Sequence, residues 1–142
     1  AAQLERLEPE TAKTLARFAY VLARVASADL EVSAAEVAEM ERVVRALAKN
    51  GGFAIDEIDQ IIFTQVRKPS IELVMDDLGL PRERAHTVME EWGYTGSACI
   101  GMAFDDAVLK GKVRAGDLVV FVGSGVGYNQ AGAAFRVGEL PR

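Results

Sequence analysis

The run Leu118-Val119-Val120-Phe121-Val122 constrains the fold more than any other stretch of this sequence. Five apolar residues in a row leave no polar face for water, and the run is too short for a buried helix. Introduced by Gly116-Asp117, it fits a central strand covered on both faces, and such a strand requires helices layered on a sheet. The glycines Gly123, Gly125 and Gly127 follow as a flexible turn, and Ala131 to Val137 reads as a return strand pairing with the first. Ile58 with Ile61-Ile62-Phe63 predicts a second short buried strand, roughly over 58–64.

Helical periodicity fills the rest. Leu15, Phe18, Ala19, Leu22, Val25 and Ala26 share one helix face, in a run that starts around Pro9 and ends near Ala28-Asp29. Ser33-Ala34-Ala35-Glu36 has the S-x-x-E spacing of a capping box and opens a second helix, striped by Val37, Met40, Val44 and Leu47. Ile71, Val74, Met75 and Leu78 mark another helix ended by Gly79, and Pro81 opens a segment running to Trp92-Gly93. A helix of small residues follows over about 96–110, carrying Ile100, Phe104 and Val108 and capped by Gly111. The expected class is therefore α/β, dividing at Asn50-Gly51-Gly52 into a helical hairpin over 1–50 and an α/β part over 51–142.

Composition narrows the function classes. The chain has 142 residues, half of them hydrophobic, with 16 Lys+Arg against 21 Asp+Glu and a net charge of -5. That balance, with no basic block, argues against nucleic acid as a main partner. No apolar run approaches the ~20 residues of a membrane span. Ala1 to Glu10 is polar, unlike a signal peptide, so a cytoplasmic protein is expected. One cysteine, Cys99, and one histidine, His86, leave little for thiol or imidazole catalysis. Cys99 reads as a small buried hydrophobe with no base near it in sequence. His86 reads as a surface or packing residue without a carboxylate partner.

Two stretches invite a ligand. Gly123-Ser124-Gly125-Val126-Gly127 has neither the G-x-G-x-x-G spacing of a dinucleotide loop nor the Gly-Lys-Ser/Thr of a phosphate loop, and a strand follows it instead of a helix. A strand-to-strand connection is the simpler reading. Asp29, Glu31 and Glu36 offer oxygens to a hard cation. An EF-hand loop starting at Asp29 would need a glycine and a glutamate where Ala34 and Met40 stand.

Five motifs then stand in a familiar order between about Val43 and Val137: Ile55-Asp56-Glu57-Ile58-Asp59, Leu78-Gly79-Leu80-Pro81-Arg82-Glu83-Arg84, Gly93-Tyr94-Thr95-Gly96-Ser97-Ala98, Asp105-Asp106-Ala107-Val108, and Gly116-Asp117-Leu118-Val119 with the glycine stretch behind it. Together they resemble the C-terminal half of β-ketoacyl-ACP synthase III, a condensing enzyme of the thiolase superfamily. The resemblance implies half of a thiolase-like layer with a short mixed sheet. It also implies an acyl-CoA or acyl carrier protein thioester as ligand, and no cofactor.

The resemblance also shows departures. The family's catalytic set is Cys-His-Asn, and its nucleophilic cysteine belongs to an N-terminal half that this sequence does not carry. Its histidine lies in P-H-Q-A-N, where this chain has Phe63-Thr64-Gln65-Val66-Arg67, so Thr64 takes the histidine's place. Tyr94 takes the place of the G-N-T asparagine. The family's oxyanion donor maps to the Val126 amide, and its substrate-binding positions to Gln65, Gly123, Ser124, Gly125 and Gly127. Threonine and tyrosine each donate a hydrogen bond, but neither titrates as an imidazole does, so unaided decarboxylative condensation is not expected. The exposed faces of a half-layer imply a homo-oligomer or a second chain that brings the nucleophile. Ala26-Ser27-Ala28-Asp29-Leu30-Glu31-Val32-Ser33-Ala34-Ala35-Glu36 separately resembles a TerB-type tellurite-resistance domain or a generic capped hairpin, with Asp29 and Glu31 as metal candidates. A non-catalytic acyl-binding module, a scaffold and a metal-binding stress protein stay open beside the condensing-enzyme reading.

Overall fold

A computed structural model describes residues 8, 10–11, 13–15, 17–18, 34–125 and 129–140. Its contacts divide the chain into two compact units, residues 1–32 and 33–142. In the first unit the described positions from Glu10 to Phe18 are helical, and the Thr14 hydroxyl donates to the Glu10 carbonyl at 2.8 Å, one helical turn back. The remainder of the expected first helix, with Asp29, Glu31 and the capping serine Ser33, lies outside the described residues.

The second unit is built on a three-stranded sheet. Strand β1 spans Gln60–Phe63, β2 Leu118–Gly125 and β3 Asn129–Arg136, in the order β1-β2-β3. β1 pairs parallel to β2, with Gln60 opposite Val119 and Phe63 opposite Val122. β2 pairs antiparallel to β3, from Leu118 opposite Arg136 to Gly125 opposite Asn129. A parallel bridge from Ile61 to Ala85 covers part of the outer edge of β1. The sheet is thus short and mixed, as the resemblance implied. One expectation is corrected: Gly123-Ser124-Gly125 belongs to β2 and not to a turn. Pairing with Ala131, Gln130 and Asn129 continues through the glycines, so a ladder forms where local composition pointed to a turn.

Helix α1 (Ala34–Gly51) buries Val37, Met40, Val43, Val44 and Ala48, a stripe at helical spacing. It lies against β3, β2 and helix α2 (Lys68–Leu78). α2 ends where expected, with Gly79 in the left-handed region at φ 70° and its N–H bonded to the Asp76 carbonyl. A short helix α3 (Met89–Trp92) and a 3-10 turn (Gly96–Ala98) lead into α4 (Cys99–Leu109). Ala103 and Ala107 of α4 pack with Val119, Ile62 and Val137 on the sheet face opposite α1. Phe104, Phe121 and Phe135 meet edge-to-face there, with centroids 5.0 to 6.0 Å apart. Side chains alternate along β2, so Val119 and Phe121 serve the α4 face while Val120 and Val122 serve the other. Val119, Val120 and Val122 have no exposed surface, which is why the apolar run is continuous. Among the described residues, no helix is long and apolar enough to cross a membrane.

Candidate functional site

Because β1 and β2 are parallel, their C-terminal ends open on the same edge of the sheet, the place where open α/β sheets take ligands. Thr64 stands at that edge. Its N–H continues the ladder to the Val122 carbonyl at 2.9 Å, and its Oγ1 accepts the Ser124 N–H at 2.8 Å. Its carbonyl accepts the Val66 N–H at 2.9 Å, so the chain bends sharply as it leaves the strand. One side chain thereby joins the end of β1 to the glycine-containing end of β2.

Gln65 lies directly behind. It is fully buried, and its Nε2 donates to the Phe63 carbonyl at 2.9 Å and the His86 carbonyl at 3.3 Å. Its Oε1 accepts the Val88 N–H at 3.0 Å, and its own N–H points to Cys99 Sγ at 3.5 Å. The amide is spent inside the fold, clamping the turn to the 86–88 segment and to the first residue of α4. Cys99 is buried, and among the described residues no base hydrogen-bonds it, in keeping with a structural thiol.

The remaining expected residues are dispersed. Tyr94 is 58% exposed, in the loop between Gly93 and Gly96, which both hold positive φ. Ser124 buries its Oγ without a partner. Val126 and Gly127 lie outside the described residues, as do Asp29 and Glu31. Among the described residues no cluster of His, Cys, Asp and Glu fit to hold a metal is present.

His86 departs from expectation. It is 3% exposed and does have a carboxylate partner: Nε2 lies 2.6 Å from Asp106 Oδ2. Lys112 Nζ lies 3.1 Å from Nδ1, and Lys110 Nζ reaches Asp106 Oδ2 at 2.9 Å and Glu91 at 3.2 Å. Burial pushes the Asp106 carboxyl up, but the hydrogen bonds from Lys110 and His86 outweigh it and the net shift is downward. An ion pair between Lys68 and Glu90 ties the start of α2 to α3. Sequence reading missed the His86 network because Asp106 lies 20 residues away. The Asp106 and Lys110 spacing of one helical turn was its only local signal.

A parallel strand pair with an antiparallel return strand, helices on both faces and a polar edge at the strand ends make this one half-layer of a thiolase-like protein. Residues 47–137 match the family model "3-Oxoacyl-[acyl-carrier-protein (ACP)] synthase III C terminal". The chain belongs to that family. It is 31% identical over 109 residues to a β-ketoacyl-[acyl-carrier-protein] synthase III of Microcystis aeruginosa, covering 77% of this chain and 33% of the relative. A relative of the same description from Rhizorhabdus wittichii is 30% identical over 106 residues, covering 75% and 33%. The solved structure of 3-oxoacyl-(acyl carrier protein) synthase III from Pseudomonas aeruginosa PAO1 superimposes with a TM-score of 0.71 at 27% identity, over 74% of this chain and 33% of that one. That from Thermus thermophilus gives 0.70 at 28% identity with the same coverage. The chain therefore spans about a third of the length of the curated relatives it matches. The family match begins at residue 47, beyond the TerB-like motif.

Proposed function

We propose that this chain forms one wall of an acyl-thioester site in a condensing-enzyme relative, with Thr64 and Tyr94 at the family's histidine and asparagine positions. The observation that carries this reading is the Thr64 junction, where one hydroxyl links the ends of both parallel strands at 2.8 Å. That hydroxyl accepts the Ser124 N–H with one of its two lone pairs and keeps its hydrogen for a thioester carbonyl. Two hydroxyl donors stabilise a developing enolate less than an imidazole and an amide together, so binding outlasts catalysis here. The family's oxyanion-donor position falls at Val126 and further substrate-binding positions at Ser124 and Gly127, while Gly123 and Gly125 carry no side chain at the end of β2. Gln65 acts from behind the wall. The nucleophilic cysteine comes from a second chain or from further sequence of the same polypeptide, since Cys99 is enclosed behind Gln65. The partners are an acyl-CoA or acyl carrier protein thioester and a second copy or a cysteine-bearing chain, in the cytoplasm.

Calorimetric titration of the full chain with acetyl-CoA and malonyl-CoA tests this, with decarboxylation of malonyl-CoA followed in parallel. Binding without turnover is expected, and Thr64→His with Tyr94→Asn should raise decarboxylation by about tenfold or more, the span of general acid–base and donor effects. Absence of binding to either thioester refutes the reading. Binding that the double variant leaves without turnover favours the non-catalytic acyl-binding module, which the commitment of the Thr64 hydroxyl to Ser124 already supports.

A further inference from the structure

We propose that His86 and Asp106 are positioning residues for Thr64, acting through Gln65 from helix α4. The proposal rests on the reading of Thr64 as part of an acyl-thioester site and adds the device that presents it.

The protonation state of the ring follows from its neighbours. A lysine ammonium offers only hydrogens, so Nδ1 of His86 is the acceptor facing Lys112 at 3.1 Å. A carboxylate only accepts, so Nε2 carries the one ring proton and gives it to Asp106 at 2.6 Å. His86 is thus a neutral Nε2–H imidazole. A second proton on Nδ1 would turn the Lys112 contact into a meeting of two cations. The charged groups tied to the ring are Asp106 of α4, Lys110 and Lys112 just beyond it, and Glu91 of α3 through Lys110.

The mechanical path is short. The ring pins the 86–88 segment to α4, and that segment grips Gln65 from both sides, through the His86 carbonyl and the Val88 N–H. Gln65 adjoins Thr64 in the chain and is held again by Cys99 at the start of α4. An apolar side chain would fill the His86 site without the desolvation that a buried imidazole and carboxylate incur, but it would not fix an orientation.

The test uses the full chain labelled with 15N-histidine. His86 is the single histidine, so one set of imidazole signals reports on it. The neutral Nε2–H pattern is expected at neutral pH, because Nδ1 faces the Lys112 ammonium and Nε2 faces the Asp106 carboxylate. An Nδ1–H or doubly protonated pattern at neutral pH overturns the tautomer assignment. His86→Gln keeps a donor for Asp106 and an acceptor for Lys112; His86→Phe keeps only bulk. In His86→Phe the Ser124 amide, bonded to Thr64 Oγ1, should exchange about tenfold faster while Ile62 and Val120 amides stay unchanged. His86→Gln should match the parent, and acetyl-CoA affinity should fall about tenfold in His86→Phe alone. Uniform loss of protection, or a His86→Phe variant indistinguishable from the parent, overturns the positioning role. If His86→Phe does not fold, Lys112→Met decides at an exposed position. The ring should then lose its single Nε2–H pattern, since Nδ1 no longer faces an ammonium, with Ser124 exchange rising alongside, and no change in either overturns the proposal. A parent chain that fails to bind acetyl-CoA sinks the acyl-site reading alone, because the ring signals and Ser124 exchange still decide whether His86 positions Thr64.

Discussion

At Gly132 of β3 helix α1 approaches the sheet closely, and adding one methyl group there measures that docking. A Cβ at this position stands 2.6 Å from Val43 Cγ1, 2.7 Å from Leu47 Cδ1 and 3.1 Å from the Phe121 carbonyl oxygen. Ordinary contact is about 3.5–4.0 Å, so Gly132→Ala overlaps two helix side chains by roughly an ångström. Leu47 can swing its end away, but Val43 is buried and β-branched, with one strongly preferred rotamer in a helix. The helix has to lift or Val43 has to leave its rotamer. Overpacking of this kind costs about 1–3 kcal/mol. Loss of unfolded-state freedom on replacing glycine returns about 0.4–1 kcal/mol, leaving a net loss of about 1–2 kcal/mol. For a chain of this length that is a fall in Tm of about 3–10 °C. The assay is urea unfolding and calorimetry of Gly132→Ala, Val43→Ala and the pair. The paired variant should recover part of the loss, with a coupling of about 0.5–2 kcal/mol. Gly123→Ala is the control, because its Cβ meets the Ala131 carbonyl oxygen and Ile100 only at 3.6 and 3.7 Å and should leave stability unchanged or raise it by up to about 1 kcal/mol. An unchanged Gly132→Ala, or a loss indifferent to Val43, refutes the close approach of α1.

Further expectations concern the clamp, the carboxylate and a helix end. Gln65→Leu leaves the Val88 N–H and the His86 carbonyl buried without a partner and should cost about 2–4 kcal/mol in urea unfolding, with Thr64→Ser nearly neutral. The Asp106 carboxyl titrates below its ordinary 3.8 in the folded chain, so its contribution is fully present above that value and is lost as pH falls below it. Asp106→Asn should therefore flatten the acid limb of stability below about pH 4, and a limb as steep as the parent's counts against the pairing. Gly79→Ala meets no atom within 4 Å, so its cost is backbone alone, about 1 kcal/mol for a left-handed residue at φ 70°. A loss much above 2 kcal/mol would point to contacts the geometry does not contain.

Local patterns carried much of this protein. The Leu118 to Val122 run announced a doubly covered strand because burial on both faces removes the need for polar alternation. The stripe of α1 and the Gly79 stop of α2 were readable because helix period and left-handed capping depend on neighbours along the chain. The motif order is what led to the proposal that Thr64 stands at the family's histidine position. Tertiary structure decided the rest. Gly123 to Gly125 extend β2 because β3 pairs with them, and composition alone reads as a turn. Helix α1 joins the sheet because Gly132 lets it approach. Gln65, expected at a ligand, turned its amide inward, and His86 found its carboxylate 20 residues away on helix α4. Those pairings depend on how the 86–88 segment, the β1 end and α4 come together in space, and no periodicity along the chain encodes that distance.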